Sequence, residues 1–225
     1  MKKAFTLAEV LITLGIIGVV AALTMPTVIN QTKNVVTMNR LKKMYSVMSQ
    51  AIQRTVMTEG WAVVPLQDSS NASIENWYKE MFEKNIKVSK YCVDVAGCWN
   101  DGTLLLNGTR HSSDRGNIGI GGNCLSFVTP DGYIVLLDAW SGDDLYTHFD
   151  VDSEYDALSI YVDTNAYKKP NIIGKDIFVF TYTMERGLLP AGRDADDATV
   201  NADCSPTGTG IYCAEQMVRE GWKIK

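Results

Sequence analysis

The sequence predicts an α+β fold: a long N-terminal helix, apolar in its first half, packed on an antiparallel β-sheet with a loop-rich C-terminal region. Three features predict it. Phe5 to Met25 is a 21-residue apolar run with one charge. Leu41, Met44, Tyr45, Met48, Ile52 and Val56 then recur at helical spacing and form one apolar stripe. Finally, "CLSFVT" and "YIVLLD" flank "PDG", a hairpin signal between β-rich runs.

The first element, residues 5–25, spans about 31 Å as a helix, close to the hydrocarbon thickness of a bilayer. Lys2 and Lys3 precede it, so the N-terminus should stay cytoplasmic and the rest should cross. Residues 26–58 continue as an amphipathic stalk whose stripe should dock on the sheet, with Arg40, Lys42, Lys43 and Arg54 mostly pointing elsewhere. Pro26 removes one backbone donor and should kink or loosen the helix where it leaves the membrane. Gly60 is the stop signal.

Residues 59–225 form the body. "IENWYKEMFEKN" follows Ser73, a candidate N-cap, and reads as a helix. "LSIYVD" and "IFVFTYT" are two further strands, and "AEQMVREGWKIK" is a closing helix with Gly221 as its C-cap. Sequential hairpin-like strands imply an antiparallel sheet with helices on one side. Residues 107–123 and "LPAGRDADDATVNADCSPTGTG" read as long loops.

Charge divides the chain. Of the 26 acids, all but Glu9 lie from Glu59 onward, and seven of the 21 basic residues precede it: Lys2, Lys3, Lys33, Arg40, Lys42, Lys43 and Arg54. The body therefore holds 25 acids against 14 bases, a net of −11 on a chain of net −5. A basic stalk joins an acidic body, which argues against nucleic acid as a partner.

Five cysteines, at 92, 98, 124, 204 and 213, form no C-x-x-C pair, and the two histidines, His111 and His148, are far apart. That is no zinc pattern. If the body is exported, Cys92–Cys98 and Cys204–Cys213 would each close a short loop and leave Cys124 over. In a reducing compartment all five would be buried thiols. The catalytic motifs are missing too: no G-x-S-x-G, no H-E-x-x-H and no phosphate-binding loop, so no enzyme is expected. "GNIGIGG" has glycines but no following lysine or helix. "DVDSEYD" alternates acids as a strand would, placing four on one solvated face.

Glu9 is the anomaly. A charge inside a membrane helix costs roughly 2.5–3.5 kcal/mol at the centre, less near the interface. A cleaved signal peptide ending at "VVAA" gains nothing from it, and neither does a plain anchor unless Glu9 meets a partner. The stretch "KKAFTLAEVLITLGIIGVVAALTMP" resembles the N-terminus of type IV pilins and of the pseudopilins of type II secretion. The resemblance covers about a tenth of the chain. It implies a bacterial protein and a pilin-like fold. A prepilin peptidase would remove residues 1–4, cutting between Ala4 and Phe5 and methylating the new amine of Phe5. The family usually has Gly before the cut, where this chain has Ala4. Glu9 would then be the fifth mature residue, one helical turn from that amine, and could neutralise it in its own chain or in a neighbour. Pro26 lies where pilin helices often carry a proline. Gly15, Gly18 and Ala22 give a small-residue face for close helix approach.

The partners so implied are other pilin or pseudopilin subunits, the peptidase, an inner-membrane assembly platform and membrane lipid. The implied location is the inner membrane, single-pass with the body extracytoplasmic, and then a periplasmic or cell-surface filament. The large body suggests a minor or specialised subunit. Two alternatives stand beside this reading: a membrane-anchored ligand-binding protein that does not polymerise, and an exported hydrolase of unfamiliar site. "YVDTNAYKKPNIIGKDIF" also resembles a pseudopilin segment in which Ala166 replaces a usual glycine. By that resemblance Asp163, Asn165 and Asp176 could hold calcium. The competing reading is an Asx turn at Asp163 and Asn165, with Asp176 capping a strand.

Overall fold

A computed structural model describes residues 6–60, 66 and 68–222. Helix α1 runs from Leu7 to Glu59, 53 residues without a break. Pro26 lies inside it, so the apolar segment and the stalk form one element. Gly60 ends it at φ 82°, its N–H donating to the Val56 carbonyl.

The body is a six-stranded meander in the order β1 (Lys90–Val93), β2 (Cys124–Val128), β3 (Ile134–Trp140), β4 (Ala157–Asp163), β5 (Ile177–Thr183) and β6 (Gly187–Pro190). Every neighbouring pair is antiparallel. The "PDG" turn joins β2 to β3, with Gly132 at φ 80° and its N–H on the Thr129 carbonyl.

Alternation along the strands sorts two unlike faces. Leu125, Phe127, Val135, Leu137, Leu158, Ile160, Val162, Phe178, Phe180 and Tyr182 form one apolar face. The second half of α1 lies there: Leu41, Met44, Met48 and Ile52 are buried, and Tyr45 and Val56 pack at the margin. Helix α2 (Asn71–Tyr78) and the π-helical turn Lys79–Glu83 add Trp77, Tyr78 and Phe82.

The opposite face is covered as well, which corrects the expectation of helices on one side only. Helix α3 (Gly142–Phe149) and the 99–120 region pack on Ile134, Leu136, Tyr161 and Val179. This is why β4 and β5 are buried along their whole length. One cross-strand row here is polar: Cys124, Asp138, Ser159 and Thr181 stand in register. The glycines of "GNIGIGG" let the 107–123 loop lie close on that row. A Cβ on Gly121 would come within 2.7 Å of an Asp138 carboxylate oxygen, and one on Gly119 within 2.5 Å of the Cys124 sulfur.

Several boundaries differ from the sequence reading. Ser70, not Ser73, caps α2, because Asp68 engages the Ser73 hydroxyl and leaves Ser70 to accept the Ser73 N–H. "DVDSEYD" is not a strand. Asp150 is the left-handed end of α3, and β4 begins only at Ala157. The loop after β5 contains β6 and helix α4 (Asp197–Asp203), whose cap Asp196 accepts the Thr199 N–H. In helix α5 (Cys213–Arg219) the cap is Glu220, and Gly221 follows it at φ 69°.

Candidate functional site

The predicted assembly residues lie on the free half of α1, whose other half has its seat on the body, and the predicted disulfide and calcium residues lie in the body itself. Ala4 and Phe5, the predicted cleavage pair, lie outside the described residues. The described helix begins with a capping box. Thr6 Oγ1 accepts the Glu9 N–H at 3.3 Å, and Glu9 Oε2 accepts the Thr6 N–H and hydroxyl, each at 2.8 Å. The spacing Thr6-x-x-Glu9 is itself the signature of this cap, so Thr6 was legible and missed. Glu9 thus has a local partner without any Phe5 amine.

From Leu7 to Val36 the helix is exposed on nearly every side. Leu11, Ile12, Ile16 and Ile17 each keep about 60% of their surface open (61%, 63%, 60% and 63%). None of the most apolar window is buried, and it is long and apolar enough to cross a membrane. Gly15 and Gly18 meet nothing: a Cβ on either would find no atom within 4 Å. Neither glycine of the small-residue face therefore meets a described residue of the body. The apolar surface also outruns the span. Val28, Ile29, Val35 and Val36, beyond Met25, remain 57%, 49%, 46% and 51% exposed.

The seat is fixed by charges expected to point away. Arg40 Nη2 donates to the carbonyls of Asp131 (3.0 Å) and Gly132 (2.8 Å), and its Nε to the carbonyl of Thr164. Its guanidinium lies 4.2 Å from the centre of the Tyr133 ring, and the Tyr133 hydroxyl donates back to the Arg40 carbonyl at 3.1 Å. Lys43 pairs with Asp131 at 2.7 Å. One arginine therefore ties α1 to the β2–β3 turn and to the end of β4. Arg40→Ala removes three bonds to carbonyls and a ring contact, and is expected to lower stability by about 2–3 kcal/mol. Chemical denaturation of the full chain in detergent measures it.

The two expected disulfides are present, Cys92–Cys98 and Cys204–Cys213, and Cys124 is a buried free thiol. Asp203 organises the second loop by accepting from the N–H groups of Thr209 (3.2 Å) and Tyr212 (2.7 Å).

The Asp163, Asn165 and Asp176 segment is a knot of turn hydrogen bonds. Asp163 Oδ1 accepts the Asn165 N–H at 2.8 Å, the Asx turn, and Oδ2 accepts the Asn100 amide. Asp176 Oδ1 accepts the Ile172 N–H at 2.7 Å. Its Oδ2 accepts the Asn171 N–H and the Asn165 amide, both at 2.9 Å. All four carboxylate oxygens are thus engaged by N–H donors, and Asn165 turns its NH2, not its oxygen, to Asp176. That fits turn chemistry better than a cation shell. Three buried amide oxygens around this knot, on Asn100, Asn165 and Asn171, have no hydrogen-bond partner among the described residues. Among the described residues no three His, Cys, Asp or Glu side chains converge as metal ligands. Ala166 sits in the turn at φ 61°, a conformation that suits glycine. Ala166→Gly is expected to stabilise by about 0.5–1 kcal/mol, the relieved strain less the added chain entropy. Thermal melting tests the sign.

Buried acids set the pH response. Burial in the sheet pushes Asp138 up to about 8, against weaker pulls from the Ala139 backbone and Trp140. Burial likewise pushes Asp163 up to about 7, with Asp176 nearby adding to it. A carboxyl raised on folding binds its proton in the native state while the unfolded chain has released it. Its stabilisation is complete below the ordinary carboxylate range and is lost as pH rises through the native value. The hydrogen bonds from Arg186 pull Asp194 the other way, so that contribution fades in acid. Melting is therefore expected at higher temperature near pH ~5 than near pH ~8, and Asp138→Asn should shrink the difference while Asp163 keeps part of it.

Compared with protein families, curated proteins and solved structures, the chain matches none.

Proposed function

We propose that this chain is a structural subunit, a minor pilin or pseudopilin, of a type IV pilus or type II secretion pseudopilus. It is processed by a prepilin peptidase at Ala4–Phe5 and assembled through the N-terminal helix. The observation that carries the reading is the extent of the free apolar surface. A helix apolar all round must be covered by lipid or by other helices. Lipid accounts for about 20 residues. Val28, Ile29, Val35 and Val36 lie past that length and still keep about half of their surface open (57%, 49%, 46% and 51%). Neighbouring helices of the same kind would cover them. Glu9 and the open Gly15–Gly18 face supply a charge for registration and a surface for close approach.

N-terminal sequencing and intact mass of the protein from its native membrane test the proposal. The expected result is a chain starting at N-methylated Phe5. A chain that keeps Met1, or begins after Ala22, overturns it.

A further inference from the structure

A cleft of about 730 Å³ opens where α1 passes the loop between β4 and β5. Four lysines line it: Lys33 from the helix, and Lys168, Lys169 and Lys175 from the loop. All four are exposed. None forms an ion pair among the described residues, although acids outnumber bases in the body. The one acid lining the cleft, Asp176, is buried and engaged by the Asn171 and Ile172 amides. Four like charges thus face one opening against a single buried carboxylate, with which none of them pairs among the described residues.

We propose that this cleft binds the phosphate headgroups of anionic phospholipid in the leaflet beneath the body. The inference rests on the reading of α1 as a membrane anchor. Lys33 follows Met25 by eight residues, about 12 Å along the axis. The headgroup layer itself is about 5–8 Å thick on each side. Lys33 is therefore held within about one Debye length, ~8 Å, of the headgroups, the loop lysines share its cleft, and long lysine side chains close part of the gap. The lining residues on α1, Asn30 to Thr37, are also the turns nearest the apolar segment that the body reaches. This edge is the body's membrane-proximal one. A body of net −11 tethered above an anionic leaflet is repelled unless the edge facing it is basic, and here it is.

The test is amine labelling of the full chain in vesicles, read lysine by lysine by mass spectrometry. Vesicles are phosphatidylcholine alone or with about 30% phosphatidylglycerol, and flotation reports the anchoring separately. The expected result is labelling at Lys33, Lys168, Lys169 and Lys175 slowed about fivefold or more by phosphatidylglycerol and restored by high salt, with Lys87 unchanged. Flotation without that protection overturns the inference alone. Failure to float in either vesicle overturns the anchor reading as well. Equal protection by inorganic phosphate over phosphatidylcholine assigns the cleft to a free anion and overturns the lipid. Protection that rises with protein density rather than with phosphatidylglycerol assigns it to the acidic body of a second copy, and also overturns the lipid.

Discussion

Replacing Asp176 by alanine is expected to destabilise the body by about 3–5 kcal/mol, a large effect for one side chain. Asp176 is 3% exposed, and its carboxylate holds the backbone N–H groups of Asn171 and Ile172 and the amide of Asn165. Its own carbonyl accepts the Thr164 N–H at 2.8 Å. Alanine would keep that backbone bond but orphan three donors, each costing about 1–3 kcal/mol where water cannot reach it. Asn171 is itself buried, so its amide has little access to solvent. Asp176→Asn keeps one carboxamide oxygen and should lose about half as much. Urea denaturation of both variants measures the difference, and a loss below about 1 kcal/mol for alanine would rule out the capping role. The same knot decides the calcium question. Because N–H donors already engage all four carboxylate oxygens of Asp163 and Asp176, the melting temperature of the unmodified protein is expected not to move with calcium or chelator. A rise with calcium would mean that the free oxygens of Asn100, Asn165 and Asn171 complete an oxygen shell.

What was legible in the sequence follows from where each signal is stored. The α1 stripe was readable because Leu41, Met44, Met48 and Ile52 all face one sheet, and a helical period records that directly. Strands β2 to β5 were readable as apolar runs, and the "PDG" turn joined two of them. Strands β1 and β6 were not, because four-residue edge strands such as Lys90–Val93 carry too little alternation to register. The second layer on the sheet was missed for a different reason. Its cover is α3 and glycine-rich loop, and a loop that packs through Gly119 and Gly121 leaves no hydrophobic period. Arg40 was misassigned because helical spacing describes where a Cα lies, while a long side chain can turn back to carbonyls on the β2–β3 turn. In the N-terminal region Glu9 was conspicuous as a charge. Its bond to Thr6 is stored in the Thr6-x-x-Glu9 spacing, a local signal separate from the charge itself.

The second large effect concerns that residue. On the proposal that the chain is a processed filament subunit, Glu9→Leu and Glu9→Gln are both expected to leave membrane insertion and removal of residues 1–4 intact while reducing assembly by about a hundredfold or more. The estimate takes about 3 kcal/mol for a charge left unpaired in an apolar packing. The pair of variants separates two roles that a single substitution confounds. Glu9 now makes two hydrogen bonds to Thr6 that fix the first turn of α1. Leucine removes both the cap and the charge, and it makes the segment easier to insert. Glutamine can still close the capping box, since its amide oxygen accepts the Thr6 N–H, but it carries no charge to meet an amine. Assembly is read as filaments sheared from cells or as a ladder of cross-linked subunits. If glutamine assembles normally and leucine does not, the cap alone is the working part of Glu9, and pairing with the Phe5 amine is wrong. If both fail while both are cleaved and inserted, the charge is what assembly needs. If both assemble, the exposed face of α1 finds its neighbours without Glu9. The registration role would then pass to the Gly15–Gly18 face, where a Cβ at either position meets open space in the single chain and so would be felt only between chains.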